Sequence, residues 1–137
     1  MNRLIGKIIS IESEGSISLV EVAVGAHTLS ATLLGCRDEI FGFSLHQEIA
    51  LLFNEMEVAI AKNLSGQISL RNRLPGEIVS LESGKILTRV VYLIDQTYLV
   101  NAVITTRSAS KLALKLGDQI EGLIKSNEMN LASLEAR

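Results

Sequence analysis

Two short stretches of the chain concentrate hydrogen-bond donors: "SLRN", Ser69 to Asn72, and "IKSN", Ile124 to Asn127. The first packs a hydroxyl, a guanidinium and an amide into four residues. The second packs an ammonium, a hydroxyl and another amide. Such density suits a tetrahedral oxyanion, which offers acceptors only and is held by convergent O–H, N–H and free backbone amide groups. Each bond to a charged group contributes on the order of 1.5–3 kcal/mol, so about five would give micromolar binding after entropic losses. The same spacing also describes Arg71 and Lys125 as solvated charges flanking a turn. Spacing alone leaves both readings open.

Other chemistry lacks its residues. No G-x-S-x-G elbow occurs, and His27 and His46 have no acid or cysteine at useful spacing, so no catalytic residue is expected. Nor do they form a metal-ligand constellation; both are expected at the surface or in turns, and no metal site is expected. Cys36 is the only cysteine, which rules out an intrachain disulfide, fits a reducing cytoplasm, and suggests a small, partly buried side chain. Aromatics are 4% of the chain with no Trp, and the formal net charge is −2. A nucleic-acid surface needs stacking platforms and concentrated positive charge, so that partner is not expected. No apolar run approaches the roughly 18 residues of a membrane helix, and the N-terminus has no leader-like apolar stretch. Neither an enzyme nor a membrane protein is expected.

The elements that must position the donors come in duplicate. "NRLIGKIISIES" (residues 2–13) and "NRLPGEIVSLES" (residues 72–83) share eight of twelve positions. After them "SLVEVAV" answers "LTRVVYL", "LSATL" answers "VNAVI", "FSLHQEIALLF" answers "LKLGDQIEGLI", and "EVAIA" answers "EMNLA". These are β-branched, apolar runs of strand length separated by turn residues, with Gly15, Gly25, Gly84-Lys85 and Asp95-Gln96 as turns. Pro75 sits near a strand's beginning, where its missing N–H costs least. One short helix is expected in each repeat; in "SASKLALKLG" Ser108 is the candidate N-cap and Gly117 the stop. The expected fold is all-β: two tandem, small OB-like Greek-key barrels of about five strands plus one short helix each. The repeats cover residues 1–64 and 65–137, joined at "KNLSGQ" (Lys62 to Gln67). A unit of this size buries little surface by itself, so duplication and self-association are expected to cover the rest. Residues 1–68 hold four basic and eight acidic side chains, and residues 69–137 hold nine and seven. Charge favours the second half for an anion.

The stretch "SLRNRLPGEIVSLESG", with "LTRVV" and "NAVITTRSASKLALKLGDQIEGLIKSNEMNLA" after it, resembles a molbindin (Mop) repeat of the TOBE group. That family is typified by an SARN opening, an LxGxVxxIxxG strand and turn, an NAEV-like strand and a closing IKAS or IKSS. The resemblance spans Ile68 to Ala132. Residues 2–61 resemble a second, more divergent repeat, and the whole chain is similar to a two-repeat, di-Mop protein. The resemblance implies OB-like modules that bind molybdate or tungstate at interfaces between modules. It implies an oxyanion site built from Ser69, Arg71, Asn72, Lys125 and Ser126, with Leu70 departing from the usual Ala. It further implies a homotrimer, with a dimer as the alternative, and cytoplasmic storage or homeostasis of the oxyanion. The alternative function is a sensing module, because similar repeats follow DNA-binding domains and transporter ATPases. The first repeat departs furthest: Asn54 and Glu55 stand where the second has Lys125 and Ser126. A carboxylate there would repel a dianion, so the first repeat is expected to be structural.

Overall fold

The computed structural model describes residues 1–34 and 42–134. The duplicated stretch folds as β1 (Asn2–Glu14) and β6 (Asn72–Ser83). Leu4 and Ile8 in one, Leu74 and Ile78 in the other, are buried, with more exposed residues between them, as a strand with one inward face requires. Both strands carry a bulge at the same place, between Ile8 and Ser10 and between Ile78 and Ser80. The extra residues, Ile9 and Val79, are exposed. A bulge bends its strand, which a long strand in a small barrel needs. The shared glycine has its own reason. A Cβ on Gly6 would lie 2.5 Å from the Ala23 carbonyl oxygen, and one on Gly76 would lie 2.5 Å from that of Leu93. Only glycine lets the backbones approach so closely.

Each long strand is followed by a hairpin: β2 (Ile17–Val24) with β3 (His27–Leu34), and β7 (Leu87–Ile94) with β8 (Tyr98–Thr105). Val24 pairs with His27 and Ile94 with Tyr98, so the second turn is one residue longer. Its expected turn residues, Asp95 and Gln96, both adopt left-handed backbone (φ 52 and 58). The repeats then continue through β4 (Glu48–Phe53), a 3-10 turn (Glu55–Glu57) and β5 (Ala59–Ala61), and through β9 (Gln119–Ile124), a 3-10 turn (Ser126–Glu128) and β10 (Asn130–Ser133). Pro75 pairs with Glu121 on one side, while β7 pairs with β6 only from Glu77 onward. The proline therefore stands where β6 has a single neighbour.

Two five-stranded sheets result, in the orders β10-β4-β1-β2-β3 and β5-β9-β6-β7-β8. Within each, the two edge strands come within 8 Å of each other between Cα atoms, curling the sheet toward closure. The expected pair of small OB-like barrels is the fold observed. The fifth strand of each, however, is supplied by the other repeat. One compact unit comprises Met1–Asn2 and Asn54–Ile124; the other comprises Arg3–Phe53 and the segment that starts at Lys125. The partition 1–64 and 65–137 thus describes sequence repeats, whereas the compact units change over after Phe53 and after Ile124. The expected linker at residues 62–67 lies inside the first unit.

The helix α1 (Thr106–Lys111) starts earlier than Ser108 suggested. Its cap is Thr105, whose Oγ1 accepts the Ser108 N–H at 3.1 Å. The chain leaves the helix at Leu112, with Ala113 at φ 51, well before Gly117. Gly117 (φ 88) serves the next turn, donating its N–H to Ile78 O at 2.9 Å; the first repeat puts His46 there (φ 70), donating to Ile8 O at 2.7 Å. The stretch of the first repeat that corresponds to α1, residues 35–41, lies outside the described residues, and Cys36 with it.

Lys62 fastens the end of α1. Its Nζ donates to the carbonyls of Leu112 and Ala113 at 3.1 Å each and to Asp118 Oδ2 at 3.0 Å. This ammonium, followed by the Lys115 N–H, holds the Asp118 carboxyl below its ordinary range. Lys62→Met should lower the melting temperature, costing about 1 kcal/mol through the carbonyl bonds alone. A depressed carboxyl contributes stability that is full above its unfolded value, about pH 4, and lost as pH falls through the folded value. The gap in melting temperature between the two proteins should therefore narrow on acidification below about pH 4. A gap that stays constant across thermal melts from neutral to acid would remove the ion pair from the account.

Candidate oxyanion site

The "SLRN" motif lies on the irregular segment leading into β6. Ser69 and Arg71 are exposed, whereas Asn72, the first residue of the strand, is fully buried. Asn2, its counterpart in the first repeat, shows what an amide does at this position. Its Nδ2 donates to Asn101 O at 2.8 Å, and its Oδ1 accepts the Asn101 N–H at 2.8 Å. The side chain thereby completes a ladder rung with main chain, satisfying the polar groups that burial removes from water. At Asn2 the amide thus anchors the strand's start, and the buried Asn72 holds the same place in β6. Arg73, next in line, is committed to Glu121 by a two-pronged ion pair, Nε to Oε2 at 3.0 Å and Nη2 to Oε1 at 2.8 Å. That pairing raises the arginine's pKa further. Asn72 stands opposite Ile124 in register, so the start of β6 and the end of β9 lie at one end of the same ladder.

Lys125 follows Ile124 and begins the 3-10 turn Ser126–Glu128. It is exposed, in extended backbone, and makes no side-chain cap bond to the turn. Ser126 is half-buried, and its Oγ lies 2.7 Å from Thr32 Oγ1 of β3. The fold therefore brings Lys125 and Ser126 together on one turn of one unit, and Ser69, Arg71 and Asn72 together on one segment of the other.

The corresponding turn of the first repeat uses its own groups. Asn54 caps it, Oδ1 accepting the Met56 N–H at 2.8 Å. Glu55 receives Arg89 Nη1 at 3.1 Å and the Met1 ammonium at 3.3 Å. The Arg89 hydrogen bond, then that of the N-terminal ammonium, holds the Glu55 carboxyl below its usual range. The expectation that Glu55 acts by repelling a dianion therefore needs amending, because two cations already compensate its charge. What the turn lacks is a cationic donor at the Lys125 position and a hydroxyl at the Ser126 position. Arg89 and Thr32 were both missed from the sequence. The signal for them lay in aligned repeat positions, where Arg89 answers Leu19 and Thr32 answers Val103, once the one-residue difference between the hairpins is known.

Among the described residues no group of three or more His, Cys, Asp or Glu side chains could hold a metal ion. His46 is exposed in its turn, and His27 opens β3. An apolar groove of about 290 Å³, lined by Ala59, Ile60, Ile104, Ser108, Lys111 and Leu112, includes none of the donor-motif residues.

Residues 68–131 match the TOBE domain, which bears out the resemblance to the molbindin group. The chain is 28% identical to the molybdenum import ATP-binding protein ModC of Brucella abortus (strain 2308), an alignment covering 95% of this chain and 38% of that protein. It is 30% identical to the molybdenum transport protein ModE of Herbaspirillum seropedicae across 54% of this chain and 28% of that one. The chain thus spans well under half the length of these curated relatives. A crystal structure of the cytoplasmic molybdate-binding protein ModG, with molybdate bound, superposes with a TM-score of 0.91 at 19% identity, covering 96% of this chain and 95% of that one. The fold is shared almost end to end. No described helix is long and apolar enough to cross a membrane.

Proposed function

We propose that this chain, with its TOBE domain at residues 68–131, binds molybdate or tungstate and serves cytoplasmic storage or homeostasis of the oxyanion, without catalysis. The observation that carries the reading is the contrast between the two 3-10 turns. In the first repeat the cap, the carboxylate and the nearby cations satisfy one another. In the second, Lys125 brings an exposed ammonium and Ser126 a hydroxyl to the turn. A divalent oxyanion supplies acceptors and negative charge that suit an ammonium and a hydroxyl. We assign Ser69, Arg71, Asn72, Lys125 and Ser126 to the oxyanion. The ModG, ModC and ModE relatives, all named for molybdate or molybdenum, support the ligand class.

A second reading is a sensing module of a transport ATPase or transcription regulator. It is favoured by the relatives ModC and ModE, of which this chain matches only a part. Either role fits a self-associated form, and we assign a homotrimer, with a dimer as the alternative. Exposed Leu34, Ile86, Leu99 and Leu116 are apolar surface that association would cover.

Calorimetric titration with molybdate, tungstate and sulfate, run beside light scattering, tests the proposal. Micromolar or tighter binding of molybdate or tungstate by an oligomer is expected. No heat with either metal oxyanion would reject the ligand class, and a monomer at micromolar concentration would reject the assembly.

A further inference from the structure

The hydroxyl pair Thr32–Ser126 has a direction that oxyanion binding would fix. The two oxygens are 2.7 Å apart and either can be the donor. A hydroxyl carries one proton and two lone pairs. If Ser126 gives its proton to an oxyanion, it can only accept from Thr32. Resting on the oxyanion reading above, we infer that Thr32 is a positioning residue of the site: it donates to Ser126 Oγ and thereby aims the Ser126 proton at the ligand.

The two repeats supply the second line of support. Thr32 pairs in register with Leu19, and at the equivalent place in the other unit Val103 pairs with Arg89. Ser126 corresponds to Glu55. Three positions therefore differ together. One unit has a serine, a threonine and a leucine; the other has a glutamate, a valine and an arginine, with the glutamate and arginine joined at 3.1 Å. Where the turn carries a carboxylate, its partner is a cation and the β8 residue has no hydroxyl. Where the turn carries a hydroxyl, the partner is a second hydroxyl and no charge is introduced beside Lys125. A plain structural staple between β3 and the turn would call for one hydrogen bond in either direction. A donor relay toward an acceptor-only ligand calls for this one.

Thr32→Val removes the hydroxyl, keeps the shape, and installs the residue that the other unit uses. In the full chain it should weaken molybdate binding about fivefold, the effect of one neutral hydrogen bond, while the variant stays folded at the temperature of the titration. Thr32→Ser should restore affinity to within about twofold. Ser126→Ala should weaken binding by a similar factor, and the Thr32→Val/Ser126→Ala double variant should bind no worse than Ser126→Ala alone, because the relay acts only through Ser126. Wild-type affinity in Thr32→Val while Lys125→Ala loses binding would overturn the relay and leave the site standing. Additive losses in the double variant would overturn it as well. Absence of molybdate binding by the unaltered chain would overturn the oxyanion reading and the relay together.

Discussion

Lys125→Ala should weaken molybdate binding by about 2–4 kcal/mol, a factor of roughly thirty to several hundred. The lysine is exposed and begins its turn, with no carboxylate in that turn until Glu128. Its alanine replacement removes a donor and a full positive charge from a ligand that carries two negative ones. Asn54→Ala is the matched control in the other repeat. Asn54 already spends its acceptor on Met56 N–H, so its loss should lower stability by about 0.5–1 kcal/mol, as loss of a cap does, and leave affinity within about twofold. Titrations of both variants decide the assignment. Loss of binding in Asn54→Ala with a silent Lys125→Ala would place the site in the wrong repeat.

Much of this was legible because the chain says it twice. The eight shared letters of the opening motif record physical requirements that recur: Gly6 and Gly76 where a neighbouring carbonyl oxygen leaves no room for a Cβ, Leu and Ile on the inward face, and a buried Asn at the strand's start. The strands followed from β-branched periodicity and the turns from their glycines. What the sequence withheld depends on distant partners. The exchange of the fifth strands leaves no mark in a repeat, since β5 and β10 carry the same pattern whichever sheet receives them. The helix start was misplaced because Thr105 is at once the last residue of β8 and the cap of α1. Ser126 was found as part of a motif, but Thr32 lies 94 residues away, a separation at which only the fold reveals a hydrogen bond. Glu55 was identified as a charge, yet the cations that compensate it became visible only in the structure.

Gly122→Leu should destabilise the protein by about 3 kcal/mol or more by overpacking, and Tyr92→Val should restore most of that loss when combined with it. Tyr92 is fully buried in β7, and a Cβ on Gly122 of β9 would run into its phenol oxygen and ring. Among the described residues that oxygen has no hydrogen-bond partner. Burial pushes the phenol pKa well above its ordinary value, so the group stays neutral at any working pH. The equivalent positions of the other unit are Val22 and Leu51, both fully buried. One barrel thus fills its interior with an aromatic ring against a glycine, the other with a valine and a leucine. The two solutions should be exchangeable as pairs and not singly. Tyr92→Val alone leaves a cavity and should cost about 2–4 kcal/mol. The double variant should then sit at least about 2 kcal/mol above the sum of its parts, and it also removes the unpartnered buried oxygen, a group whose desolvation is not repaid. Urea unfolding of the two single variants and the double, with slopes compared to confirm a common unfolding transition, gives the coupling directly. Additive losses would mean that Tyr92 and Gly122 do not share one volume, and that the two barrels reach their packing by unrelated routes.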